Sequence, residues 1–94
     1  MHLEEFRITL RGAAVPPGLT PQLEALWWDG RGDWNKAHEI AQEIADRSGS
    51  RIHAYLHRKE GDRGNAQYWY DRSGESLCEG SLESEWEDLV RRFL

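Results

Sequence analysis

The chain has one cysteine, Cys78, so an internal disulfide is excluded, as is any zinc site built on thiolates; a lone thiol suits a reducing compartment. It has little apolar continuity: no stretch approaches the roughly 18 residues of a membrane span. The start, Met1-His2-Leu3-Glu4-Glu5, has neither the basic residues nor the apolar run of a signal peptide. A soluble, cytoplasmic protein is the expectation. Basic charge is also short, with a formal net charge of −5 and a pI near 5.3. Sequence-independent nucleic-acid binding needs a basic stripe to neutralise phosphates, so neither nucleic acid nor membrane is expected as a partner. No Gly-rich phosphate loop, Gly-x-Ser-x-Gly elbow or evident Cys–His pair is present, which turns the reading away from an enzyme.

Tryptophan, by contrast, is abundant: five in 94 residues. A chain of this size is a single domain, 1–94, that buries roughly 60–65% of its unfolded surface. Each Trp offers about 150–250 Å² to that modest core.

The central stretch says nearly the same thing twice. Ala25-Leu26-Trp27-Trp28 is followed by Gly32-Asp33-Trp34-Asn35-Lys36-Ala37, and Ala54-Tyr55-Leu56-His57 by Gly61-Asp62-Arg63-Gly64-Asn65-Ala66, at an offset of about 29 residues. Each copy reads as a helix, a Gly-Asp turn and a second helix. Thr20-Pro21 starts the first helix, with Leu23, Leu26 and Trp27 on its apolar side; Gly30 to Gly32 ends it. Asp33 caps the next, striped by Trp34, Ala37, Ile40, Ala41 and Ile44. Ser48-Gly49-Ser50 reads as a break, with Ser48 or Ser50 capping a helix over residues 51–60. Asp62 caps the fourth, whose buried stripe is Ala66, Trp69 and Tyr70.

Residues 3–11 read as a short helix ahead of the stiff Gly12–Gly18 connector. The last helix runs from about Leu82 to Phe93, or starts two residues later at the box Ser84-Glu85-Trp86-Glu87. Its leading acids, Glu85 included, read as a solvated face, and Arg91-Arg92 complement its C-terminal end. The fold expected is all-α: two stacked antiparallel helical hairpins, a short solenoid, closed by N- and C-terminal capping helices.

A small residue in the first helix, Gly-Asp-aromatic in the turn and Ala four residues after the Asp resemble the tetratricopeptide repeat. Ala25 and Ala54 match its small first-helix position, Ala37 and Ala66 its second-helix alanine, and Gly32-Asp33-Trp34 its turn. The period is shorter than the usual 34, Ala41 stands where a larger residue is usual, and no Pro closes either unit. The whole string also resembles a group of small uncharacterised bacterial proteins, which brings no function with it. The repeat resemblance implies a concave face carrying Gln22, Leu26 and Asp29 from the first unit and Arg51, Tyr55 and Arg58 from the second. Such a groove takes a protein or peptide, acidic where it meets Arg51 and Arg58, or a second copy in a homodimer. Arg58 and Lys59 equally suit the C-terminal end of their own helix. Tyr68 is the odd member of Tyr68-Trp69-Tyr70, three aromatics at roughly 100° steps, and is expected at a surface. An interaction module is therefore the first functional expectation.

His53 and His57, at i and i+4, give the second. They share a helix face, a spacing at which two imidazoles can hold a divalent metal, and His38 on the neighbouring helix is a candidate third ligand. The same pair also suits hydrogen-bonded core histidines or general acid–base chemistry.

Overall fold

The Gly-Asp turns decide the architecture, because each reverses the chain in one way. In the computed structural model, which describes all of residues 1–94, the six helices are α1 (Leu3–Thr9), α2 (Pro21–Gly30), α3 (Trp34–Gln42), α4 (Arg47–Glu60), α5 (Arg63–Ser73) and α6 (Leu82–Phe93). Gly32 and Gly61 adopt φ of +85° and +89°, left-handed values open to glycine at no steric cost. The backbone N–H of Gly32 donates to Asp29 O at 2.9 Å and that of Gly61 to Arg58 O at 3.1 Å. One residue on, Asp33 N–H donates to Trp28 O and Asp62 N–H to His57 O, at 2.9 and 3.0 Å. The two aspartates then cap α3 and α5 by accepting from Lys36 N–H at 3.0 Å and Asn65 N–H at 3.1 Å. Every one of these bonds is reproduced 29 residues later, so the sequence repeat is a repeat of hydrogen bonds.

Two helical hairpins result, α2 on α3 and α4 on α5, with α3 also packed on α4. Ala25, Ala37, Ala54 and Ala66 are all buried. α6 lies over α2 and α4, and α1 lies over α6. The chain is all-α, as its periodicity indicates, and no helix is long and apolar enough to cross a membrane.

Trp27 fills the centre of the main core with Phe6, Leu26, Ile52 and Leu56 around it, and its indole N–H donates to Thr9 Oγ1 at 3.1 Å. A smaller cluster, Ala54, Ala66 and Tyr70, sits between α4 and α5. Trp34 donates its indole N–H to Leu56 O at 2.8 Å, which pins the start of α3 to the middle of α4.

One boundary departs from expectation, while the last helix keeps the Leu82–Phe93 range read for it. Ser48-Gly49-Ser50 lies in the first turns of α4, and the break falls earlier, at 43–46, with Asp46 as the cap accepting from Ser48 N–H at 2.9 Å. Crowding requires glycine at this helical position: a Cβ at Gly49 would lie 2.2 Å from Ile44 O. α6 starts at Leu82 with Ser81 as its cap, accepting from Ser84 N–H at 3.0 Å.

Candidate metal centre

α4 carries His53 and His57 one turn apart, and both are 6% exposed. His38 comes from α3, one turn after the Trp34 that fixes that helix on α4. Its Nε2 meets His53 Nε2 at 2.7 Å. The rings of His53 and His57 stack at 4.8 Å with 19° between planes, while His38 meets each of them edge-on, at 4.5 and 5.2 Å. One ring nitrogen from each of the three lies within 4.8 Å of the others.

Indoles close the cluster on two sides. Trp34 stacks on His38 at 4.9 Å, and Trp69 of α5 stacks on His53 at 3.9 Å, both with 12° between planes. Burial disfavours the charged imidazolium, so His38 is held below its ordinary value and His53 is lowered to about 4; the neighbouring imidazoles push both the same way. At neutral pH these two rings are neutral, the form in which a histidine ligates a metal. His57 Nδ1 lies 2.6 Å from Glu60 Oε2. An N–H there donates to the carboxylate and leaves Nε2 with the free lone pair, the arrangement that orients metal-bound histidines.

A tetrahedral zinc with Zn–N bonds of about 2.0–2.1 Å sets its nitrogens roughly 3.3 Å apart. His38 Nε2 and His53 Nε2, 2.7 Å apart, would part by about 0.6 Å to reach that spacing. His57, Glu60 and Asp62 form a second group within 4.8 Å of one another, but both acids are exposed.

The residues assigned to a concave groove are placed otherwise. Leu26 is wholly buried, and Asp29 is 2% exposed, accepting from Tyr55 Oη at 2.6 Å and from Lys59 Nζ at 2.9 Å. Arg51 and Arg58 both face α6: Arg51 Nη2 and Arg58 Nη1 each lie 2.7 Å from the carboxylate of Glu85. Tyr70 donates its hydroxyl to the same carboxylate, and Glu75 takes Arg51 Nε at 3.2 Å. Next to Glu85, Trp86 donates its indole N–H to Leu26 O at 2.9 Å. The side of the hairpins expected to be open is thus covered by the chain's own last helix. Gln22 donates to Ser48 Oγ at 2.9 Å; Tyr68, which is not one of the six groove residues, is exposed as expected, with Arg72 over its ring.

Glu85 is the residue that sequence reasoning missed. It was expected in a solvated face and is 1% exposed. Its place beside Trp86, at the border of the apolar stripe, was the available signal. No family model matches the chain, and neither does any curated protein or solved structure.

Proposed function

We propose that the protein binds one divalent transition-metal ion through His38, His53 and His57. The observation that carries this reading is the meeting of three imidazoles from two helices, with ligand-capable nitrogens within 4.8 Å and one ring already oriented by a carboxylate. Imidazole nitrogens suit zinc, copper, nickel and iron rather than magnesium or calcium. A core designed for packing alone has little use for three imidazoles, each of which must have its polar atoms satisfied when buried. Four surface cavities are each lined by residues other than these three histidines.

Titration with zinc, and with cobalt as a spectroscopic stand-in, tests it. One equivalent should bind, cobalt should give the intense visible absorption of a low-coordinate nitrogen site, and the melting temperature should rise. At a free metal concentration about 100 times the Kd the stabilisation is about 2.7 kcal/mol. For a domain of this size that is roughly 10–20 °C. His53→Gln and His38→Ala should each remove the rise. A flat response in the parent chain, or an undiminished one in both variants, rules the site out.

The interaction module is the second reading, and Tyr68 is the observation that favours it, a large aromatic left 52% exposed. A partner engaging Arg51 and Arg58 would first have to displace Glu85. Such a partner should be lost on Tyr68→Ser or on Arg58→Glu with the melting curve otherwise unchanged for the former.

A further inference from the structure

A cleft of about 290 Å³ opens where four helices meet, away from the histidines. Leu10, Leu82 and Trp86 make its apolar walls, and Asp29, Tyr55 and Lys59 form its polar end. The cleft stands at the C-terminal end of α2, where backbone carbonyls concentrate negative potential and where the helix carries no basic residue in its last turn. Asp29 adds a full carboxylate to that end and is almost wholly buried. Its second oxygen is fixed by the Tyr55 hydroxyl, which burial and the neighbouring carboxylate hold firmly in its protonated, donating form.

One cation answers this charge. Lys59 Nζ reaches Asp29 Oδ1 at 2.9 Å, yet the lysine side chain is 37% exposed while the carboxylate it meets is at 2%. Lys59 also lies in the last turn of α4, so an ammonium released from Asp29 remains favourably placed beside the carbonyls of its own helix. A flexible, well-hydrated ammonium of this kind is exchangeable. The other cation on the wall, Arg7, is held by the carboxylates of Glu4, Glu83 and Glu87, and does not compete for Asp29.

We infer that the cleft is a binding site for a small organic amine, a primary ammonium on a compact apolar body. The ammonium displaces Lys59 from Asp29, and the body lies between Leu10, Leu82 and Trp86. Carboxylate and phosphate ligands are disfavoured by the same negative end that attracts the amine. The volume is near the lower limit of small-molecule sites and admits an aryl-ethylamine.

2-Phenylethylamine and the isosteric neutral 2-phenylethanol serve as probes, followed by amide and indole NMR shifts of the intact chain. The amine should shift Gly30, Arg31 and the Trp86 indole with a Kd on the order of 0.1–1 mM. The alcohol should bind at least about tenfold more weakly, the loss expected when a charge-assisted bond is missing. Lys59→Ala removes the internal competitor and leaves the Asp29 carboxylate held by Tyr55 alone, so the amine should bind that variant several-fold tighter and raise its melting temperature more than that of the parent. Asp29→Asn should erase the preference for amine over alcohol. Equal binding of amine and alcohol, or an amine response in Lys59→Ala no larger than in the parent, overturns the proposal.

Discussion

His38 and His53 meet nitrogen to nitrogen, Nε2 to Nε2 at 2.7 Å, across the gap between α3 and α4. A proton shared along that line leaves no room for a second one, and burial opposes it further. His53 in the folded chain is lowered to about 4, whereas the unfolded chain takes up its proton near 6.5. Between those values the unfolded state binds more protons, so stability rises with pH. The contribution is whole above about pH 6.5 and is lost as pH falls toward 4, with a ceiling of about 3 kcal/mol. His38, lowered in the same direction, adds to it. Thermal melts with chelator present should therefore fall steadily from pH 7 to pH 4.5, and His53→Gln should flatten that slope. An unchanged slope in the variant would place the acid sensitivity elsewhere.

Trp34 and Trp69, stacked on His38 and His53, are built-in reporters of the same cluster. A paramagnetic ion held by the imidazoles lies within a few ångströms of both indoles. Stoichiometric copper(II) should quench the emission of those two of the five tryptophans, while zinc leaves most of the intensity in place. Trp69→Phe should lower the quenchable fraction by about half, judged from two stacked indoles of similar exposure. Quenching that needs a large excess of copper would mark collisions with solvent ions and not a bound one.

Glu85 bears on stability more than any other acid of α6. Arg51, Arg58 and Tyr70 all converge on its buried carboxylate, and Arg51 Nη1 is already without a partner. Removing one member of a buried ion cluster strands the others and costs about 3–5 kcal/mol. Glu85→Gln should lower the denaturant midpoint accordingly and weaken the near-ultraviolet signal of Trp86 as α6 loosens. Asp88→Asn, on an exposed pair of the same helix, should shift stability by no more than about 0.5 kcal/mol. Near-equal effects from the two would mean that the buried cluster does not anchor α6.

What was readable from the chain was local. Gly32-Asp33 and Gly61-Asp62 carry their geometry within five residues, so the turn, the cap and the hairpin follow from composition at fixed offsets. The i, i+4 spacing put His53 and His57 on one face, and the neighbouring helix made His38 a candidate. Partnership at long range was not readable. Arg51 and Arg58 advertise a need for carboxylate, but nothing in their neighbourhood says that it comes from Glu85, 27 residues beyond Arg58, rather than from another molecule. A glutamate at the edge of an apolar stripe looks solvated until α6 is laid on α4. Ser48-Gly49-Ser50 misled for the opposite reason: a glycine that signals a break in isolation is here required inside a helix by the backbone passing next to it.

Two helical glycines, Gly49 and Gly64, are opposites in this respect. At Gly49 a Cβ would come 2.2 Å from Ile44 O and 2.8 Å from Ile44 Cβ, so Gly49→Ala forces the 43–46 turn away from α4. Overpacking of this kind costs about 1–3 kcal/mol, and backbone atoms yield less readily than a side-chain tip. At Gly64, in the first turn of α5, an added Cβ meets nothing within 4 Å. There alanine gains helix propensity and narrows the unfolded ensemble, a stabilisation of about 0.4–1 kcal/mol. Urea melts of the two single variants should move in opposite directions from the parent. A stabilised Gly49→Ala would show that α4 begins later than Arg47 and that the Ser-Gly-Ser segment is a break after all.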